Sequence, residues 1–109
     1  MDINNIPFGI TNWPEIPTTR HTGDQGYALW HTQQFDAIRV RMVEYSENYL
    51  ADHWCSKGHI LLCLEGELHT ELDDGRTFTL TAGMSYQVAD QAEAHRSSTS
   101  KGARLFIVD

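Results

Sequence analysis

The fold predicted for this chain depends on residues 52–68, which read DHWCSKGHILLCLEGEL. Side chains alternate between the two faces of a β-strand, so His53 and Cys55 point to the same face. If Ser56-Lys57-Gly58 turns the chain, His59 lies opposite Cys55, with the Cβ atoms about 4.5 to 5.5 Å apart. Three side chains that bind metal ions well then converge on one point.

The two cysteines of the chain take different roles in this register. Cys63 falls opposite Ala51, four residues along the strand from Cys55, which is roughly 13 Å at the usual rise per residue. A disulfide needs Cα atoms within about 7 Å of each other, so both thiols are expected to be free. We therefore predict that Cys63 is a buried core thiol and that Cys55 carries the chemistry.

β-Branched and aromatic residues recur along the rest of the chain in short runs that are separated by turn residues. This rhythm is typical of an all-β sandwich or barrel, and helical periodicity is hard to find. The Asp74-Gly75 pair suits a two-residue type I′ hairpin. We predict strands at residues 27–35, 38–46, 51–55, 59–64, 67–72, 77–81, 85–88, 95–99 and 104–108.

The first 25 residues differ from the rest because they hold all three prolines of the chain. We predict an irregular arm over residues 1–25, with at most a short strand or helical turn around residues 13–16. Residues 26–109 form one barrel domain, since a chain of 109 residues builds a single core of moderate size. The arm is expected to pack across a barrel opening or onto a second subunit.

Charge and hydropathy exclude several classes of partner. The formal charge of -7 and the pI of about 5.2 repel phosphate backbones, and the eight Lys and Arg residues are scattered. We therefore expect no nucleic-acid partner. The longest apolar run, residues 60–64, is too short for a membrane span, and the N-terminus lacks the features of a signal peptide. We expect a cytoplasmic protein with no membrane partner.

The segment around His53 resembles the first motif of the cupin superfamily, which reads Gly, five residues, His-x-His, three or four residues, Glu, six residues, Gly. By position, His53 takes the first His place, Cys55 the second, His59 the Glu place and Gly66 the final Gly. Asn48 stands where the motif begins with Gly, and Asn tolerates a positive φ better than most residues. Two usual metal ligands are thus replaced by other residues that also bind metals.

The second cupin motif reads Gly, five residues, Pro-x-Gly, two residues, His, three residues, Asn, and the chain matches it loosely. Gly83 and His95 hold the Gly and His places, whereas Pro and the central Gly are missing and Thr99 replaces Asn. The resemblance covers residues 38–108. The run 52–55 also resembles a small group of bacterial cupin-fold proteins named after an Asp-His-Cys-Trp motif, which implies a fold and no settled activity.

The resemblance implies a double-stranded β-helix, the jelly-roll barrel of cupins, with one mononuclear metal site inside the barrel. The ligands implied here are His53, Cys55, His59 and His95. Three imidazoles and one thiolate form a borderline-soft set that suits Zn, Ni, Fe or Cu better than Mg or Ca. One transition metal ion of unassigned identity is therefore the expected cofactor.

Polar side chains near the predicted site are candidates for binding a small-molecule ligand. Arg41, Tyr45 and Gln87 are expected to line the cavity, and Arg offers bidentate recognition of a carboxylate. Trp30 and Trp54 are expected on the strand faces away from the site, as core or subunit contacts. A homodimer is the default expectation for a barrel of this size.

Three functions remain open from the sequence. The first is a metal-dependent oxygenase or isomerase that acts on a small polar molecule, which requires an open coordination position. The second is a non-catalytic module that senses or stores a small molecule or metal, with Cys55 as a redox-responsive ligand whose oxidation releases the ion. The third is a structural barrel with a vestigial site. Fold alone does not choose among them, because one fold supports many functions.

Overall fold

The structure is a computed structural model that describes residues 3–109, so the first two residues of the predicted arm lie outside the described part. The predicted all-β class is confirmed. One short 3₁₀ helix, Trp13–Glu15, precedes the strands. The strands are β1 (Thr18–Thr22), β2 (Tyr27–Phe35), β3 (Ile38–Tyr45), β4 (Tyr49–Leu50), β5 (His59–Leu72), β6 (Thr77–Thr81), β7 (Ser85–Val88), β8 (His95–Thr99) and β9 (Ala103–Val108).

Two antiparallel sheets face each other, which gives the predicted jelly-roll barrel. The first sheet has the strand order β1-β2-β3-β9-β5-β7, and the second has the order β4-β8-β5-β6. Strand β5 belongs to both sheets because its first half pairs with β9 and β7 and its second half with β8 and β6. This one strand therefore fixes how the two sheets meet.

The bend in β5 lies at Gly66, the final Gly of the first motif. The register with β9 shifts between Cys63 and Glu65, and Gly66 follows with a φ of 78°. A Cβ atom at Gly66 would stand 2.2 Å from the carbonyl oxygen of Gly102, so only glycine fits here without displacement. A bulge with a left-handed glycine is a usual way to turn a strand from one sheet into another.

Six predicted strands match the structure within one residue at each end, and three predictions need correction. Residues 51–55 are not a strand, since β4 ends at Leu50 and only one isolated bridge follows, at Cys55. The strands predicted at 59–64 and 67–72 are one continuous strand, because the bulge before Gly66 bends the chain without ending its pairing. Strand β1 lies in the predicted arm, where no full strand was expected.

The hairpin between β5 and β6 differs from the predicted two-residue type I′ turn. A type I′ turn needs a positive φ at both central residues, and Gly75 has one (φ 93°) whereas Asp74 does not. The Gly75 amide instead donates to Leu72 O at 3.0 Å, and the Leu72 amide donates to Arg76 O at 2.8 Å. The result is a three-residue loop that ends in a left-handed glycine.

Inward-facing side chains change from apolar to polar along the barrel. On β3, Val43 is buried in the core, and Arg41 lies on the same face nearer to one end of the barrel. On the neighbouring strand β9, Leu105 is buried opposite Val43, and Asp109 lies at the same end of the barrel as Arg41. The apolar end forms the hydrophobic core, which consists of Ala28, Val43, Tyr49, Ala51, Leu61, Cys63, Leu68, Leu80, Ala103, Leu105 and Ile107. The polar end is not filled by apolar side chains, so a functional site can form there.

The arm contacts the barrel only in part. Trp13 packs edge-on against Phe106 with ring centroids 6.2 Å apart, and the Ile16 carbonyl lies 2.6 Å from His31 Nδ1. Phe8 and Ile10 are 96% and 90% exposed. No helix in the described part of the chain is long and apolar enough to cross a membrane. The homodimer and the cytoplasmic location stay predictions.

The bend in β5 predicts unequal effects of two glycine substitutions. We expect Gly66→Ala to lower the free energy of unfolding at least about 2 kcal/mol more than Gly75→Ala does, because its Cβ meets backbone. Both glycines have a positive φ, so both substitutions introduce backbone strain. Only Gly75 has open space where the Cβ atom would lie, so Gly75→Ala measures the cost of the positive φ alone. Urea unfolding monitored by circular dichroism measures both changes. Equal losses would contradict the assigned role of Gly66.

Candidate metal centre

An isolated bridge between Cys55 and His95 forms one wall of the site. The Cys55 amide donates to the His95 carbonyl at 2.8 Å, and the His95 amide donates to the Cys55 carbonyl at 2.9 Å. The two residues therefore form a hydrogen-bonded antiparallel pair, whose side chains share one face. This pair extends the second sheet beyond β4 at its polar end.

His59 reaches the same point from the opposite sheet. It is the first residue of β5, where it pairs with Val88 of β7, and it is buried. The His59 and His95 rings meet edge to face, with centroids 4.7 Å apart. The site thus lies between the two sheets rather than within either.

The ligand atoms of Cys55, His59 and His95 lie within 4.8 Å of one another. Around a zinc ion with bonds of the usual length, a sulfur and a nitrogen donor lie about 3.5 Å apart. A shift of about 1 Å in these side chains would therefore close the group around an ion. The three residues form a candidate metal site of one soft and two borderline donors.

His95 is oriented as metal-binding histidines usually are. Its Nδ1 lies 3.0 Å from the backbone oxygen of Glu93, to which it donates, so its proton is held on the side away from the cavity. Its Nε2 is buried, and no group in residues 3–109 meets it with hydrogen-bond geometry. Leaving a buried polar atom without a partner costs about 1 to 3 kcal/mol, and a bound ion would remove that cost.

His59 has a polar neighbour on each ring nitrogen. Its Nε2 lies 2.9 Å from the hydroxyl of Tyr86, and its Nδ1 lies 3.6 Å from Oδ2 of Asp109. A carboxylate behind one nitrogen orients the ring, as in many metal sites. Binding of an ion at Nε2 would require the Tyr86 hydroxyl to give up its hydrogen bond.

Cys55 and His95 shift each other's ionisation. The close approach of the His95 ring, whose ligand atom lies within 4.8 Å of the sulfur, is the main cause that lowers the pKa of the Cys55 thiol, and it outweighs the opposing effect of burial. The same interaction raises the pKa of His95. The sulfur is therefore biased toward the thiolate, which is the form that binds metal.

The predicted route to this cluster was wrong, although three of its members do meet. We expected residues 56–58 to turn the chain so that His59 paired with Cys55, but Cys55 pairs with His95 and His59 with Val88. Residues 56–58 do not form a hairpin because Gly58 packs against the segment after β7 and its amide donates to Asp90 Oδ1 at 2.7 Å. Both cysteines are free, as predicted, and Cys63 is buried in the core.

His53, the fourth predicted ligand, lies outside this three-residue group. Its side chain is 70% exposed, and its Nδ1 lies 2.6 Å from Oδ1 of Asp52. It nevertheless lines the same cavity as Cys55. Its role as a ligand stays a prediction, and reaching the centre would require it to leave Asp52.

A cavity of about 220 Å³ opens beside the three candidate ligands, and we call it the central cavity. Of the predicted ligand-binding residues, Arg41 and Tyr45 line it. Gln87 lies on the outer side of β7 and is exposed, because alternation along the strand turns Tyr86 inward instead. The central cavity is lined by Trp30, Arg39, Arg41, Tyr45, Tyr49, Ala51, His53, Cys55, His59, Leu61, Tyr86, His95, Ser97 and Ile107.

Trp30 lies in the central cavity, contrary to the prediction that it faces away from the site. It pairs with Val43 across β2 and β3, and cross-strand partners share a face. One ring neighbour is Arg41, whose guanidinium carbon lies 4.4 Å from the Trp30 ring centroid, and another is His21, stacked at 3.8 Å. The error arose because no local pattern showed which face of β2 is inner.

Asp109 joins the candidate metal site to two arginines. Its fully buried carboxylate accepts from Arg39 at 2.9 and 3.0 Å and from Arg41 at 3.0 Å. Burial by itself raises the pKa of Asp109, but the nearby His59 ring, the hydrogen bonds from Arg39 and the charge of Arg41 hold that pKa well below its usual range. Sequence reasoning did not identify Asp109, which follows the last strand with no motif around it.

Tyr86 is the other site residue that sequence reasoning missed. Burial is the main cause that raises the pKa of its hydroxyl, so this group stays protonated. The sequence did contain a signal for Tyr86. It shares a strand face with Val88, and their short strand lies between the two motif residues Gly83 and His95. The inward face of such a strand points at the site.

Three solved structures show what the fold is similar to. A cupin-2 domain containing protein from Shewanella frigidimarina is 18% identical, with a TM-score of 0.58 over 71% of this chain and 74% of that one. A predicted oxalate decarboxylase from Thermotoga maritima is 14% identical, with a TM-score of 0.77 over 92% of this chain and 96% of that one. Fe(II)-HppE with the alternative substrate (S)-1-HPP is 18% identical, with a TM-score of 0.77 over 96% of this chain.

These likenesses establish the cupin fold, and at identities of 14% to 18% they establish the fold alone. The chain spans 62% of the length of HppE. No protein-family model matches the sequence, and no curated protein matches it. The narrower resemblance to the Asp-His-Cys-Trp group is not tested by these structures and stays a prediction.

The buried Asp109 cluster predicts a pH-dependent loss of stability. We expect Asp109→Asn to lower the free energy of unfolding by about 3 kcal/mol at neutral pH, because it removes the charge that compensates two arginines. The folded pKa of Asp109 is depressed, so the contribution is fully present above the unfolded pKa of about 3.9 and is lost as the pH falls below it.

Denaturant unfolding from pH 7 to pH 2 measures this difference. The gap between the wild-type protein and Asp109→Asn should narrow as the pH falls. Asp74→Asn serves as a control, since Asp74 makes an exposed ion pair with Arg76 and its loss should have a much smaller effect. A gap that stays constant down to pH 2 would contradict the role assigned to Asp109.

Proposed function

Starting from the cupin fold, we propose that this protein is a metal-dependent cupin that binds one mononuclear transition metal ion through Cys55, His59 and His95. The observation that carries the proposal is the convergence of these three ligand atoms within 4.8 Å, together with the buried, unpartnered Nε2 of His95. His53 is proposed as a fourth ligand or a close neighbour of the ion. The metal set stays Zn, Ni, Fe or Cu, as the donor types indicate.

The proposed activity is that of an oxygenase or isomerase acting on a small polar molecule in the central cavity. When bound, the ion would supply Lewis acidity or redox chemistry at the reacting group. The protein's own residues would hold the substrate, with Arg41 and Tyr45 lining the cavity beside the ligands. The volume of about 220 Å³ favours a small substrate. Fe(II)-HppE, a structure of similar fold, gives a precedent for iron in such a barrel.

A non-catalytic binding or sensing module is the alternative. The observation that favours it is the hydrogen bond between His59 Nε2 and the Tyr86 hydroxyl, at 2.9 Å. In the metal-free state, the Tyr86 hydroxyl gives His59 Nε2 a hydrogen-bond partner in place of the ion. His59 Nε2 then has a partner both with and without the ion, so gain and loss of the ion could act as a signal. Cys55 is half-buried, and its oxidation would remove one ligand. Turnover of any substrate by the loaded protein would rule this alternative out.

Cobalt substitution tests the metal site directly. We expect the wild-type chain to bind about one Co(II) per chain and to show a thiolate-to-cobalt charge-transfer band in the ultraviolet, because Cys55 supplies sulfur. Cys55→Ser should lose the band, and Cys63→Ala should keep it since Cys63 lies in the core. Metal analysis of protein purified without chelator or nickel resin gives the native ion.

Histidine variants complete this test. His95→Ala should weaken zinc binding by more than the roughly 10- to 100-fold that loss of a supporting residue causes. His53→Ala should weaken it measurably, whereas His69→Ala should match the wild-type protein, because His69 is exposed and bonded to Thr79. Equal affinity of His53→Ala and wild type would remove His53 from the site. No binding by the wild-type chain would leave a structural barrel.

We also propose a homodimer in which the arm contacts the second copy. Residues 3–14 contain no charged side chain, so they can approach another copy of a chain with a net charge of -7 without repulsion. Phe8 and Ile10 would bury their exposed surface there. Light scattering after size exclusion should give a dimer mass that falls to the monomer mass in Phe8→Ser, Ile10→Ser. A wild-type monomer would contradict this proposal.

A further inference from the structure

The lining of the central cavity carries positive charge in an acidic protein. Its permanently charged lining residues are Arg39 and Arg41, and none of the residues that line it is Asp or Glu. The whole chain has 15 acidic residues against eight basic ones. Concentrating positive charge around a small cavity favours anions there, because the surrounding low dielectric strengthens the attraction.

Arg41 is fixed in place by two partners. Its guanidinium carbon lies 4.4 Å from the Trp30 ring centroid, and its Nη2 donates to Oδ2 of Asp109 at 3.0 Å. A planar guanidinium that is held on both sides loses little freedom when it binds a further group. Arg41 is therefore preorganised rather than a flexible surface cation.

Arg41 keeps one unused donor. The residue is only 6% exposed, and its Nε has no hydrogen-bond partner among the described residues. Buried polar atoms in folded proteins almost always have a partner, so an orphaned charged donor in a residue that lines the cavity can take a further acceptor once neighbouring side chains adjust. The carboxylate of Asp109 does not supply that acceptor, because it meets Arg41 through Nη2 and not through Nε.

The charges nearby do not balance once a metal ion is bound. The Asp109 side chain and the Cys55 thiolate provide one negative charge each for the two guanidinium groups of Arg39 and Arg41. A divalent ion held by that thiolate and two neutral imidazoles would therefore leave an excess of positive charge. An anionic ligand beside the orphaned donor would neutralise part of this excess.

We propose that the central cavity binds a small organic carboxylate, with the carboxylate held by Arg41 through its Nε and with the rest of the molecule extending toward Cys55, His59 and His95. The position of that second end rests on the proposed function, whereas the carboxylate subsite itself does not. Tyr45 lines the same cavity and offers a hydroxyl that burial keeps protonated, since burial raises its pKa. The substrate class of the proposed enzyme is thus a small carboxylic acid.

Propionate and its neutral isostere propionamide test this subsite. Titrated into the full ¹⁵N-labelled chain after removal of metal by chelator, propionate should shift the Arg41 Nε–H resonance and the Trp30 indole resonance saturably. Propionamide has nearly the same shape without the charge, so it should bind at least about tenfold more weakly. Equal binding of the two probes, or propionate shifts that bypass Arg41 and Trp30, would overturn the proposal.

Variants of Arg41 test the assigned donor. Arg41→Met should weaken propionate binding at least about tenfold, and Arg104→Met, which removes an exposed arginine paired with Glu65, should not. Arg41→Lys retains the positive charge beside Asp109, so it tests the same donor if Arg41→Met does not fold. It should also weaken binding because it lacks the planar Nε donor. Wild-type affinity in a folded Arg41→Lys protein would remove Arg41 Nε from the subsite.

Repeating the titrations with zinc added separates this proposal from the metal site. Propionate binding that depends on Arg41 in the metal-free protein supports the subsite even if zinc does not bind. Binding that requires zinc and is unchanged in Arg41→Met would place the carboxylate on the ion and overturn the subsite. The metal proposal itself is decided by the cobalt and zinc experiments.

Discussion

The rest of the structure depends on β5 being one continuous strand that belongs to both sheets. Its first residue, His59, pairs with Val88 in one sheet, and its last, Leu72, pairs with His95 in the other. The bend at Gly66 brings these two pairings together, so that the His59 and His95 rings lie 4.7 Å apart. A straight strand of the same 14 residues would hold the two histidines at opposite ends.

The polar end of the barrel is stabilised by interactions that also prepare it to bind. Asp109 orients His59 and neutralises part of the charge of Arg39 and Arg41, at distances of 2.9 to 3.6 Å. Buried ionic groups tolerate loss of a partner poorly, so these residues are mutually dependent. Three buried atoms at this end have no hydrogen-bond partner within residues 3–109: Nε2 of His95, Nδ1 of His59 and Nε of Arg41. The two imidazole atoms belong to the candidate metal site, and the Arg41 atom belongs to the proposed carboxylate subsite.

The fold of this protein does not indicate its activity, whereas the side chains of the site indicate its chemistry. The fold is that of cupins, and proteins of this fold carry unrelated activities. The chemistry proposed here therefore rests on donors and charges: one thiolate, two imidazoles and a cationic wall around about 220 Å³. The thiolate in place of the usual second histidine makes the donor set softer, which shifts metal preference toward ions that accept sulfur.

The sequence by itself determined the strands and the residue types of the site. Alternation of side chains is a local property, so most strand positions, the free cysteines and the glycine at position 66 could be predicted from it. Only the tertiary structure decided which residues meet. Cys55 pairs with His95, and Asp109 binds Arg39 across 70 residues of sequence. Local patterns do not encode such long-range antiparallel pairings, because the pairing depends on where β5 bends and on which face becomes the interior.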